Sequence, residues 1–165
     1  MKLNGSYNYN ETKKVWEING ARIGWCNFTG LEQKGPDGTK FNDFGKRNFT
    51  LFFDDDLAPL ADILKAEGYN VKWPNVEPDE GKDPAEYTYS PHLKVNVNMD
   101  SKWPPIVKVK VGDTITDLTG DEVRAIDGLA IETVNMDIRG YEYKPGKKSA
   151  YLNAIYITAE PGDRF

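Results

Sequence analysis

Apolar and polar residues alternate strictly over two neighbouring stretches of the chain. Leu93, Val95 and Val97 fall on one side of the first, with Lys94, Asn96 and Asn98 on the other. In the second, Val107, Val109 and Val111 face one way and Lys108 and Lys110 the other. Period two with one polar face predicts antiparallel strands with one side in water. Val134, Met136 and Ile138 alternate with Asn135, Asp137 and Arg139, and Tyr141-Glu142-Tyr143 extends that strand to a turn at Pro145-Gly146. Tyr151 to Ala159 reads as the last strand, ended by Pro161-Gly162.

The pattern changes between Gly45 and Trp73. Phe49-Thr50-Leu51-Phe52-Phe53 is too apolar for a half-exposed strand and predicts a central one. Leu57, Leu60, Ala61 and Leu64 then fall at helical spacing within Asp56 to Glu67, with Asp55 or Asp56 as N-cap and Gly68 as stop. Gly68 to Trp73 completes a strand–helix–strand unit. Upstream, Val15 to Ile18 reads as a strand running into a hairpin turn at Asn19-Gly20. Ala21 to Thr29 forms the next strand, and Gly30 to Asp43 a loop with a turn at Gly35-Pro36-Asp37-Gly38. Thr119 to Ile126 predicts a short helix, with Thr119 and Glu122 at capping-box spacing.

Seven or eight strands, two short helices and Gly/Pro turns predict a mainly β fold. The order fits a small OB-like antiparallel β-barrel with one or two inserted helices, and a β-sandwich is the competing architecture. The 165 residues form one domain. It carries a polar N-terminal arm (1–14), an acidic Pro-rich loop (74–91) and a short C-terminal tail (160–165).

Composition narrows the function. A net charge of −5 excludes a uniformly basic nucleic-acid binder but leaves room for a local basic face. The single Cys26 rules out an intramolecular disulfide and points to a reducing compartment. No run approaches the ~18 apolar residues of a membrane span. Catalytic constellations are thin. His92 is the only histidine, too few for a zinc site or a Ser-His-Asp triad, and no phosphate loop is present. Asp54-Asp55-Asp56 sits where acids cap a helix and complement its dipole, a simpler account than metal binding. No catalytic residue, metal or cofactor is assigned.

Cations and rings carry the positive signal. Arg47, Lys72, Lys94, Lys108, Lys110, Arg139 and Lys147 lie in or at the ends of predicted strands, with Trp73, Trp103, Tyr141 and Tyr143 beside them. Cations meet phosphates and rings stack on bases, the combination single-stranded nucleic acid requires. Lysines on a wet strand face also guard edges against aggregation, and barrel aromatics are often core, so composition leaves both accounts open.

The order of short motifs adds to this. Ala21-Arg22-Ile23, Asn27-Phe28-Thr29-Gly30, Phe41-Asn42 and Gly45-Lys46-Arg47-Asn48-Phe49 are followed by Gly68-Tyr69-Asn70-Val71-Lys72. Then come Pro104-Pro105, Asp137-Ile138-Arg139-Gly140-Tyr141-Glu142-Tyr143, Ala150-Tyr151-Leu152-Asn153 and Tyr156-Ile157-Thr158. This series resembles a group of bacteriophage OB-fold single-stranded DNA-binding proteins. The resemblance implies a non-catalytic protein of a replication or recombination module, coating single-stranded DNA in the cytoplasm of an infected bacterium. On that basis Arg47, Lys72, Lys94, Lys108, Lys110 and Arg139 hold phosphates, and Trp73, Trp103, Tyr141 and Tyr143 stack on bases. Phage replication proteins and further copies of the chain are the implied partners, with no membrane. The tail, Glu160 to Phe165, ends in an aromatic residue but is barely acidic, which departs from the recruiting tails of such proteins.

Two other readings remain at this point. A phage structural or protein-interaction module, either a virion β-sandwich or a host-defence antagonist, predicts scattered lysines and buried Trp73 and Trp103. An acid–acid hydrolase predicts two convergent carboxylates in a cleft.

Overall fold

The computed structural model describes residues 5–42, 44–73 and 90–160. The acidic loop, apart from Ser90 and Pro91, and the tail beyond Glu160 lie outside the described residues. Among these residues are ten strands: β1 (Ser6–Asn10), β2 (Val15–Asn27), β3 (Gln33–Lys34), β4 (Lys40–Asn42), β5 (Arg47–Phe52), β6 (His92–Val97), β7 (Ile106–Val111), β8 (Thr114–Asp117), β9 (Ile131–Lys144) and β10 (Lys147–Ala159). One α-helix, α1 (Ala58–Ala66), follows a 3-10 turn at Asp55–Leu57, and a 3-10 helix spans Gly120–Gly128.

Five strands close a barrel in the order β2-β5-β6-β10-β9 and back to β2. All neighbours in the ring are antiparallel except β6 and β10, which run parallel at Ala150↔Val95 and Tyr151↔Asn96. This is the OB-like barrel the strand order predicts. β2 and β10 are each 13 residues long and serve two neighbours along one edge. β2 pairs with β1 and then β5, and β10 with β6 and then β7. The alternating stretches around Val95 and Val109 are therefore not partners of each other. β6 is antiparallel to β5 and β7 to β8, and both run parallel to β10.

The long β2 corrects the expected hairpin at Asn19-Gly20. The strand continues through these residues, and Gly20, at φ 64°, sits in a register shift between Ile18 and Ala21. A glycine that tolerates left-handed backbone here makes a bulge, which bends a strand around a barrel corner. Gly68 to Trp73 is likewise no strand. It makes two isolated bridges, Tyr69 to Lys148 and Lys72 to His92. The expected loop of residues 30–43 holds the small β3–β4 ladder, and β8 was not anticipated.

The core lies inside the ring. Ile18, Phe28, Phe49, Leu51, Val95, Met136, Ile138 and Ile155 are fully or almost fully enclosed. Each such side chain contributes about 1.5–3 kcal/mol by leaving water. α1 adds Leu60, Ala61 and Leu64 from its apolar stripe and stops at Gly68, at φ 105°. Its acids do not cap it. Asp54 holds the N-cap position of the preceding 3-10 turn with no capping bond, and its carboxylate takes two bonds from Arg22 at 2.6 and 3.0 Å. The 3-10 helix adds Val123 and Ile126, and its Thr119–Glu122 capping box is formed as predicted. Asp127 pins this helix to the end of β2, accepting from Phe28 N, Thr29 N and Thr29 Oγ1 at 2.7–2.9 Å.

Candidate nucleic-acid interface

The alternation that buries Leu93, Val95 and Val97 turns His92, Lys94 and Asn96 outward along β6. The β5 register sets Phe52, Thr50 and Asn48 opposite them, in that order. The row continues sideways. Tyr151 on β10 lies beside Asn96, and Arg139 on β9 lies beside Tyr151. Four strands thus bring the outward residues Asn48, Asn96, Tyr151 and Arg139 into line across the barrel.

Among the described residues, three hollows run over this face. The first, about 350 Å³, is lined by Trp25, Asn48, Thr50, His92, Lys94, Asn96 and their neighbours Lys72, Tyr143, Lys148 and Ser149. No carboxylate lines it among the described residues. The second, about 230 Å³, shares Asn96 and adds Lys46, Arg47, Asn98, Asp100 and Tyr151. The third, about 320 Å³, shares Asn98 and Tyr151 and adds Trp103, Arg139 and Tyr141. The shared residues make them one groove, cationic at one end and ring-rich at both. A separate hollow, about 450 Å³, carries Glu132 and Glu160 against Arg22, a lining that repels phosphate.

The ring at the cationic end is Trp25. Its φ of 45° and a register shift between Gly24 and Asn27 throw the indole outward, 66% exposed. It stands edge-on to Phe52 and to His92, with centroids 5.3 and 5.5 Å away. Phe52 is 2% exposed yet belongs to the outer face, covered by Trp25, His92 and the Arg22 guanidinium 4.1 Å from its centroid. At the other end Trp103 is 77% exposed, and Tyr141 stands edge-on to Tyr151 at 6.3 Å. The next residue along β2, Cys26, is partly buried, and burial, with the Asp127 charge, pushes its thiol up to about 11. It stays a neutral thiol at neutral pH.

The predicted residues divide in two. Lys72, Lys94 and Tyr143 line the first hollow, Arg47 the second, and Trp103, Arg139 and Tyr141 the third. Arg47 has structural partners: its guanidinium donates to the Phe28 carbonyl and, at 2.9 Å, to Asp121. Trp73, Lys108, Lys110 and Lys147 do not line the groove. Lys65 sits over the Trp73 ring at 4.8 Å, and Lys108 pairs with Asp117 at 3.0 Å. Sequence reasoning missed Trp25, His92, Asn48 and Asn96, which also line these hollows. A signal existed for Trp25, because a glycine inside a strand pattern, Gly24, marks a bulge that re-aims its neighbour.

Fold and groove together define the class, a small OB-like barrel with an open, cation-lined and ring-lined face. Over residues 8–163 the chain matches the model of the family described as "Putative phage ssDNA-binding domain", and it belongs to that family. No curated protein and no solved structure matches the chain. Among the described residues, no helix is long and apolar enough to cross a membrane, and no group of three or more His, Cys, Asp or Glu is placed to hold a metal ion.

Proposed function

We propose that the chain is a non-catalytic, broadly sequence-tolerant single-stranded DNA-binding protein of a phage replication or recombination module, acting in the infected bacterial cytoplasm. The strand lies in the groove over β5, β6, β10 and β9. The observation that carries this reading is the continuity of the three hollows. Among the described residues, Lys72, Lys94 and Lys148 line one end with no carboxylate beside them, and Trp25, Tyr141, Tyr151 and Trp103 punctuate the groove. Counted along the chain, β5 and β6 are the second and third barrel strands. Oligonucleotides commonly lie on that face of OB-folds, between the loops joining strands one to two and four to five. Gln33, from the first of those loops, and Lys148, beside the second, both reach the first hollow.

Binding here is electrostatic at the backbone and stacking at the bases. The test is a tryptophan-fluorescence titration with oligo-dT of about thirty nucleotides, long enough to exceed one OB site, at two salt concentrations with duplex as control. The expected result is quenching by the single strand, weakening steeply with salt. No binding at low salt would overturn the proposal.

A further inference from the structure

The floor of the groove holds two side-chain amides whose orientation the fold fixes. Asn42, 6% exposed, donates from Nδ2 to the carbonyls of Leu31 and Lys46 at 2.8 and 2.9 Å. A flipped amide would set oxygen against two oxygens, so its Oδ1 must point the other way. There it accepts from Asn48 Nδ2 at 2.8 Å. Asn48 is thereby held with its nitrogen towards Asn42 and its oxygen left over. Across the strand pair, Asn96 donates from Nδ2 to the Ala150 carbonyl at 3.1 Å, and the same argument applies. No described residue donates to either Oδ1. Both side chains line the first hollow, and cross-strand partners stand about 5 Å apart at Cβ.

We infer that Asn48 and Asn96 form a guanine-preferring subsite, in which their two Oδ1 atoms accept from the Watson–Crick edge of one base. This rests on the single-strand reading above and refines its sequence tolerance. Guanine alone presents two adjacent donors on that edge, N1–H and the 2-amino group. Thymine offers one donor between two acceptors, and adenine and cytosine each offer one amino group beside an acceptor. Tyr151, next to Asn96 on β10, supplies a ring for the base to lie against. The phosphates on either side meet Lys94 and Lys46. Stacking tolerates every base, so it is the oriented acceptors that introduce a preference.

The experiment measures binding of the wild-type chain to equal-length oligo-dT tracts in which every fifth thymine is replaced by 7-deazaguanine, hypoxanthine or adenine, a spacing too sparse for the tracts to pair with themselves, beside oligo-dT itself. 7-Deazaguanine keeps both donors and cannot form quadruplexes, and hypoxanthine lacks only the 2-amino group. The expected order is 7-deazaguanine about tenfold tighter than adenine, with hypoxanthine between. Asn96→Ala should bring the affinities of the series to within about twofold of one another, whatever it does to their common level. Equal affinities in the wild type, or a preference that survives Asn96→Ala, would overturn the subsite and leave single-strand binding standing. Failure to bind any oligomer, oligo-dT included, would overturn both. The wild-type series decides the matter even if the variant does not fold.

Discussion

Trp25 stands edge-on to His92, with ring centroids 5.5 Å apart, planes at 88° and the indole largely in solvent. A tryptophan at φ 45° stores about 1–3 kcal/mol of backbone strain, and such strain is retained where the exposed side chain is used. Trp25→Gly removes the ring and relaxes the backbone together. The lost cover over Phe52 and the relieved strain oppose each other, so the melting temperature should move by no more than about 3 °C. Affinity for oligo-dT should fall about tenfold, the worth of one stacked base. A variant that binds normally would show that the indole only shields Phe52.

Asp137 faces Glu17 across the β2–β9 pair. Burial pushes the Asp137 carboxyl up, the Glu17 charge adds to this, and Lys13 opposes it. A carboxyl whose folded pKa is raised binds its proton more tightly in the folded chain than in the unfolded one. Its contribution to stability is therefore greatest in acid and is lost as pH rises through the carboxylate range. Asp137→Asn should stabilise the protein at pH 7 by about 0.5 kcal/mol, the size of a like-charge cross-strand repulsion. The gain should shrink at about pH 3, below the ordinary carboxylate range, as the native carboxyl takes up its proton. Paired thermal melts at the two pH values check the sign. A variant less stable at pH 7 would mean that the carboxylate is held by a favourable contact.

Legibility in the sequence followed the physics of each element. Alternation around Val95 and Val109 identified both strands and their wet faces, because period two is a local property. It could not name the partners of those strands. β10 meets them both in parallel, and that contact depends on the whole ring closing. Asn19-Gly20 has the chemistry of a hairpin and of a bulge alike, and tertiary bending of β2 decided for the bulge. Lys72, Lys94, Arg139 and Tyr141 stood out as cations and rings in or at the ends of predicted strands. Asn48 and Asn96 did not. A sequence does not show which way an amide is turned, and that is set here by Asn42 and by the Ala150 carbonyl.

Gly68 joins the end of α1 to the β9–β10 turn. Its φ is 105°, and a Cβ there would run into the carbonyl of Gly146, a backbone atom that cannot swing away. Gly140 has ordinary backbone, and a Cβ there would strike the buried Tyr69 hydroxyl, the end of a side chain. Gly68→Ala should therefore cost about 3 kcal/mol or more, from strain and overpacking combined, and Gly140→Ala less. Gly140→Ala should also weaken DNA binding, since Lys148 lies against Tyr69 and must move with it. Denaturant unfolding ranks the two, and equal costs would show that Tyr69 cannot yield.

Two double substitutions with the same charge change separate the groove from the rest of the sheet. Lys94→Glu with Lys148→Glu alters the first hollow, whereas Lys108→Glu with Lys110→Glu alters β7, where Lys108 already pairs with Asp117. Both doubles shift the net charge equally, so any long-range effect on an approaching polyanion is similar. Contact with phosphate is not. Each lysine that neutralises a phosphate contributes about 0.7 to the slope of log affinity against log salt for a single strand. The Lys94/Lys148 double should lose about 1.4 from that slope and at least tenfold in affinity at moderate salt. The Lys108/Lys110 double should keep its slope and lose no more than about threefold. The reverse ranking would move the DNA path from the β5–β6 face onto β7, and equal losses would mean that the strand feels net charge rather than a groove.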